Sequence, residues 1–301
     1  MRHCGDGRAS SVTRALGGLR SVRLRAPRHR SACTSGVELP CNSACSTAVS
    51  HEGLKMWLIL PGWGLAPDDY ASLAKGLGSD ANVVDSWRTP TTGDISAVRA
   101  ALGADDSEID LIGHSIGGLA AVEWALRYPE QIGRLVLLDP TTPRRRAAER
   151  TASYRAAFAG RTQRGRHLIG AVGAAASPVG KSLRRAGIRL ATKDPDSLPS
   201  VEADARYGTA EAWRLLANQL YESREQEGRV ARLLATRTST SQMPPAVHLV
   251  GAGSRTTQRR FLRAQWELSQ RLPTHIVMLP GQNHLFPVTR PDLVLHHIER
   301  M

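Results

Sequence analysis

Aromatic side chains make up only 5% of this chain, and cysteine is missing from most of it. All four cysteines (Cys4, Cys33, Cys41, Cys45) precede Met56, so the rest of the chain has no thiol for a disulfide. The spacing of those four fits no strong zinc pattern. No apolar run approaches the roughly 20 residues that span a bilayer, so no transmembrane segment is expected. The N-terminal region also lacks the apolar core of a secretory signal, so a leader of that kind is not expected. With neither feature, a cytoplasmic location is the expectation.

Acids are scarce in residues 1–55, while arginines are frequent there: Arg2, Arg8, Arg14, Arg20, Arg23, Arg25, Arg28 and Arg30. This Arg- and Ser-rich composition is similar to an organelle transit peptide, although regular amphipathic spacing is weak. The simplest expectation for residues 1–55 is a disordered extension. A second reading takes Met56, which opens an apolar run, as the natural start.

The most informative stretch is Gly113-His114-Ser115-Ile116-Gly117. Ile109, Leu111 and Ile112 before it form a short apolar run, as a buried strand does. After it, residues 118–128 are helical in character and end before Pro129. A serine on a sharp strand-to-helix turn has its hydroxyl pushed into the open, and crowding there calls for small neighbours. The helix that follows points its first amides at the serine. Ser115 is therefore the candidate nucleophile.

Of the ten histidines, His284 is chosen as the base for its position. His275 to Leu279 alternates like a strand, and Pro280-Gly281-Gln282-Asn283-His284 follows as a loop. A base just past the last strand can reach the elbow. His114 reads as packing of the elbow, and His296 and His297 lie on a terminal helix from Pro291 to Arg300. The apolar run Met56–Leu60 leads into Pro61-Gly62-Trp63-Gly64. There the backbone N–H of Trp63, with that of Ile116, is expected to form an oxyanion hole, the Trp63 ring shaping the pocket.

These motifs, with Leu135-Val136-Leu137-Leu138-Asp139-Pro140 and Gly281–His284, resemble those of the α/β-hydrolases from Met56 to Met301, with a gap in the middle. Residues Pro61–Leu65 are similar to the first loop of carboxylesterases, including the pimeloyl-carrier-protein methyl esterase type. The resemblance implies a Ser-His-Asp/Glu triad and hydrolysis of an ester, thioester or related bond, with no metal or organic cofactor.

The chain departs from the family pattern at the acid. The family's usual place follows the next-to-last strand, here Ala246–Val250, where Ser254 stands. The next carboxylate, Glu267, lies inside the following helix. Some lipases of this fold carry the acid one strand earlier, which points to Asp139. A carboxylate from the middle region remains the rival.

The expected fold is α/β, an α/β-hydrolase with a minimal six-stranded, mainly parallel sheet and a helical lid insertion. The core covers 56–140 and 244–301, and the lid covers 141–243. Expected helices run from Asp68 to Leu77, Ile95 to Leu102 and Ile116 to Tyr128. Expected strands are Val83–Asp85, Ile109–Ile112 and Arg134–Leu138. In the lid, Ala210–Tyr221 and Arg229–Ala235 are helical in spacing.

The net charge is +13, and the first half of the lid is basic: Arg144, Arg145, Arg146, Arg161, Arg164, Arg166, Arg184, Arg185 and Arg189. Such charges are commonly a solvated face; the functional reading is attraction to an anionic substrate or peripheral contact with a bilayer. Nucleic acid is not expected as a partner, because no aromatics interleave the basic stretch. The expectation is thus a serine esterase, lipase or thioesterase acting on a small acyl substrate. Two alternatives stay open: a non-catalytic ligand-binding relative, and a basic membrane- or nucleic-acid-associated protein.

Overall fold

Runs of mainly apolar residues suit strands buried on both faces, and the central strands of this protein are of that kind, with Asp110, His114 and Arg134 as polar exceptions. The computed structural model describes residues 56–104, 108–143, 171, 175, 179–192, 206–237, 242–253 and 258–301. All of them fall within one unit, Ser50–Met301. The leader 1–55, Ser254 and the lid arginines Arg144, Arg145, Arg146, Arg161, Arg164 and Arg166 lie outside the described residues.

Six strands form the sheet: β1 Met56–Leu60, β2 Ala81–Val83, β3 Ile109–His114, β4 Ile132–Leu138, β5 Ala246–Ala252 and β6 His275–Pro280. Their order is β2-β1-β3-β4-β5-β6, and every pairing is parallel. Helices α1 Ala71–Leu77, α2 Ile95–Ala101 and α3 Ile116–Arg127 connect the first four strands. The lid supplies α4 Gly180–Ala191 and α5 Ala210–Thr236. Helices α6 Gln258–Ser269, α7 Phe286–Thr289 and α8 Pro291–Ile298 complete the chain.

Successive side chains of a strand point to opposite faces, and here both faces are apolar. Leu58, Leu60, Ile109, Leu111, Leu135 and Leu137 pack with α3 residues such as Leu119 and Trp124, and with Val230 and Leu234 of α5. Trp57, Ile59, Ile112, Val136 and Leu138 pack on the other face with Leu73, Phe286, Val294 and Ile298. This double cover leaves the carboxyl edge of the sheet as the open side, where loops can carry function.

Several element bounds differ from the sequence expectation. Residues Pro67–Tyr70 form a 3-10 turn before α1, held where the Ala66 N–H donates to the Asp69 carboxylate at 2.8 Å. Strand β2 starts at Ala81 and ends at Val83, two residues short of Asp85. The two expected lid helices are one helix of 27 residues. The apolar pattern fades between them because the residues that face inward there are polar: Ser223, Gln226 and Glu227 are buried.

The polar stretch of α5 exists to meet a buried acid. Glu123 of α3 is fully buried, and its carboxylate accepts from Arg229 Nε at 2.8 Å, Arg127 Nε at 3.1 Å and Gln226 Nε2 at 3.1 Å. Arg229 also donates to the Gly93 carbonyl at 2.6 Å. Removing one partner of a buried pair leaves uncompensated charge. Arg229→Ala should therefore destabilise the fold by about 3 kcal/mol, read as a lower urea midpoint. An unchanged midpoint would show that Arg127 and Gln226 suffice. Among the described residues, no helix is long and apolar enough to cross a membrane.

Candidate active site

Strand β3 ends at His114 and α3 starts at Ile116, so Ser115 alone makes the turn. Its backbone sits at φ 54°, ψ −118°, a conformation L-residues avoid. Three hydrogen bonds hold it there. The Ser115 N–H donates to Leu138 O at 3.0 Å, while its carbonyl accepts from Thr141 N–H at 2.7 Å and Leu119 N–H at 3.2 Å. The flanking glycines are required for space. A Cβ on Gly117 would collide with the Leu60 carbonyl oxygen, and one on Gly113 would lie 2.6 Å from the Ala121 Cβ.

Beta strands β3, β4 and β6 end side by side or one strand apart, and their loops converge on Ser115. His284 follows β6, and its Nε2 is 3.0 Å from Ser115 Oγ. Its Nδ1 is 3.3 Å from Asp139 Oδ2. Asp139 is the residue immediately after β4, is 1% exposed and has φ 43°. Its other oxygen, Oδ1, accepts from the Gly251 N–H of β5 at 2.8 Å. Burial pushes the Asp139 carboxyl above the usual carboxylate range, and the hydrogen bond to His284 works against that push. The structure thus brings Ser115, His284 and Asp139 into one hydrogen-bonded line.

The two expected oxyanion donors belong to separate elements, the loop after β1 and the start of α3. Leu60 is in register with Gly113, so the loop carrying Trp63 leaves the sheet beside the elbow. Ile116 is the first residue of α3, where an amide has no acceptor within the helix. The Trp63 ring is 45% exposed and its Nε1 donates to Leu216 O of α5 at 2.9 Å.

The lid docks on this same loop. Tyr207 Oη donates to the Gly64 carbonyl. Arg184 of α4 pairs with Asp69 at 2.6 Å, both side chains buried. Burial raises the Asp69 pKa, opposed by the charge of Arg184. Between lid and sheet lies a cavity of about 340 Å³, whose walls include Leu65, Leu183, Ile188, Leu216 and Leu285, with Ser115 and His284 at its edge.

The sequence places His114 in the packing of the elbow, but its partner Tyr70 and the pair His248 and Gln265 belong to no local motif and were missed. His114 is fully buried against Tyr70 and the His284 carbonyl. His248 of β5 bonds Gln265 at 2.8 Å, and Gln265 Nε2 donates to the carbonyl of Pro140, next to Asp139. Burial holds His248 down at about 4, against its bond to Gln265. A histidine with a depressed folded pKa is protonated more readily when unfolded. Its contribution is therefore full above about 6.5 and lost as pH falls toward 4. The size is roughly 3 kcal/mol. His114, also lowered by burial, acts with the same sign. Asp69 and Asp139, with raised values, act with the opposite sign. His248→Gln should flatten the loss of urea stability between pH 7 and pH 4 relative to wild type; parallel curves would refute the assignment. Among the described residues, no group of three or more His, Cys, Asp or Glu is placed to hold a metal ion.

A sequence model described as the alpha/beta hydrolase family matches residues 57–296. Among solved structures, a protein from Nostoc sp. PCC 7120 classed with the alpha/beta hydrolases aligns with a TM-score of 0.58 and 14% identity, covering 82% of this chain and 90% of that one. The epoxide hydrolase CorEH aligns at 0.53 and 17%, covering 82% and 90%. Cfl2 from Burkholderia cenocepacia aligns at 0.52 and 17%, covering 82% and 87%. At these identities the likeness shows the shared fold.

Proposed function

The chain belongs to the alpha/beta hydrolase family, and from that we propose that it is a serine hydrolase cleaving a carboxylic ester or thioester through an acyl-enzyme. One observation carries the reading. A nucleophile-elbow serine lies 3.0 Å from a histidine whose other ring nitrogen faces a buried carboxylate, at the edge of an apolar cavity.

In this reading Ser115 Oγ attacks the substrate carbonyl carbon while its proton passes to His284 Nε2. The carbonyl π electrons move onto oxygen, and the amides of Trp63 and Ile116 hold that charge. Asp139 accepts from Nδ1–H, keeping the base lone pair on Nε2 and stabilising the imidazolium. Collapse expels an alcohol or thiol, which takes the proton from Nε2. Water then attacks the acyl carbon, gives its proton to His284 and releases the carboxylic acid, while Ser115 recovers its own.

The test is labelling by a fluorophosphonate, beside turnover of p-nitrophenyl esters of increasing chain length and of acyl thioesters. Labelling at Ser115 and turnover of one class are expected. A protein that is folded, unlabelled and inert on every substrate would be a ligand-binding relative instead.

The charge of the lid supports an anionic substrate or surface. Helix α4 exposes Lys181, Arg185 and Arg189 beside the exposed Val179 and Leu183, and Leu183 lines the cavity. Exposed charges attract over about 10 Å at 0.1 M salt. The KM for an anionic acyl thioester should therefore rise with salt while that for a neutral ester stays level. Equal salt responses would remove the lid charge from substrate selection.

A further inference from the structure

Beneath the elbow, two fully buried side chains join the loop after β1 to the loop after β6. The Gly62 N–H donates to Tyr70 Oη at 2.8 Å. Tyr70 Oη lies 2.6 Å from His114 Nδ1. His114 Nε2 lies 2.9 Å from the carbonyl oxygen of His284.

The far end of the chain fixes where the protons sit. A carbonyl oxygen only accepts, so His114 Nε2 must carry hydrogen and donate to His284 O. A neutral imidazole then has a lone pair at Nδ1, which accepts from the Tyr70 hydroxyl. The hydroxyl oxygen in turn accepts from Gly62. Burial and the nearby His284, whose ring centre is 5.0 Å away, both disfavour a charged His114. Every donor in the path therefore meets an acceptor, in one direction.

Gly62 precedes the expected oxyanion donor Trp63, and His284 is the expected base. Gly62 is buried, while its neighbour Trp63 is 45% exposed and the His284 side chain is 43% exposed. The imidazole also packs against the first loop: a Cβ on Gly62 would lie 3.0 Å from His114 Nδ1. Such loops need outside support to keep reacting groups within a fraction of an ångström.

We propose that Tyr70 and His114 are positioning residues: their hydrogen-bonded path holds the oxyanion loop and the His284 loop at one fixed separation beneath Ser115. This rests on the serine-hydrolase reading above. Both side chains are fully buried, His114 forming part of the cavity wall, and neither is a reacting group in that mechanism. Their effect falls on the transition state, which needs both loops in place at once, more than on substrate binding in the apolar cavity.

The experiment measures kcat per serine titrated with a fluorophosphonate, KM, and affinity for an alkyl trifluoromethyl ketone, which forms a tetrahedral adduct. Tyr70→Phe keeps the ring and removes the link. Its kcat per titrated site should fall about 10²-fold, with ketone affinity falling by the same factor and KM nearly constant. Arg229→Ala is the control, weakening the fold away from the site; its kcat per titrated site should match wild type. If Tyr70→Phe gives no folded protein, His114→Gln decides the matter, and the same split is expected. Wild-type kcat and ketone affinity in the folded variant would overturn the proposal, as would equal losses in Arg229→Ala. If wild-type protein is itself unlabelled and inert, the serine-hydrolase reading has failed and this proposal falls with it, a result visible before any variant is made.

Discussion

Ser115→Ala should remove ester or thioester turnover by about 10⁴ to 10⁶ in kcat while the protein stays folded. The side-chain oxygen makes its hydrogen bond to His284 Nε2. Backbone bonds hold the strained turn through Leu138, Thr141 and Leu119, and alanine keeps all three. Alanine also feels the same backbone strain at φ 54° as serine does. Circular dichroism and the thermal midpoint should therefore match wild type while fluorophosphonate labelling disappears. Near wild-type turnover on any substrate would mean that the nucleophile is another group.

Asp139→Asn is the second large effect, and its logic is the tautomer of His284. An asparagine oxygen can still accept from the Gly251 N–H at the place of Oδ1. Its NH₂ would then face His284 Nδ1, in the place of Oδ2. A donor there requires a lone pair on Nδ1, which sends the hydrogen to Nε2. Nε2–H cannot take the proton of Ser115. The equivalent change in a protease triad lowers kcat by about 10⁴, and the same order is expected here. Stability should hold, because a neutral amide is cheaper to bury than the carboxylate it replaces. A variant that unfolds more easily but turns over normally per folded molecule would place the acid elsewhere and leave Asp139 as a turn residue.

The two outcomes separate the parts of the site that differ in how readable they were. Ser115 is marked by its neighbours: Gly113 and Gly117 sit where a Cβ would strike Ala121 or the Leu60 carbonyl. A sterically forced turn must be written into adjacent residues. His284 was chosen from its place after a strand and before a terminal helix, again a local pattern. Asp139 stands out only because Ser254, outside the described residues, occupies the family's usual acid position. Nothing near Asp139 in the sequence points to His284, 145 positions away.

Sheet and strand runs were legible for a related reason. A strand covered on both faces favours apolar residues on both, and Leu58, Ile59, Leu60, Leu111 and Ile112 show that directly. Helix α5 was not legible as one element, because its middle buries the polar residues Gln226 and Glu227, Gln226 donating to Glu123 of α3 and to the Thr91 carbonyl. Periodicity counts buried polar residues as exposed, so the pattern broke where the packing did not.

The amino-acid sequence by itself determined most of the elements, α5 excepted, the elbow and the order of the loops, because each leaves its pattern in residues adjacent in the chain. The tertiary structure alone decided which carboxylate meets His284, which cations surround Glu123, and that Tyr70 and His114 join the Gly62 and His284 loops. Those choices depend on groups up to 170 residues apart being buried together, where an unpaired donor or acceptor is costly and each must find its partner in three dimensions.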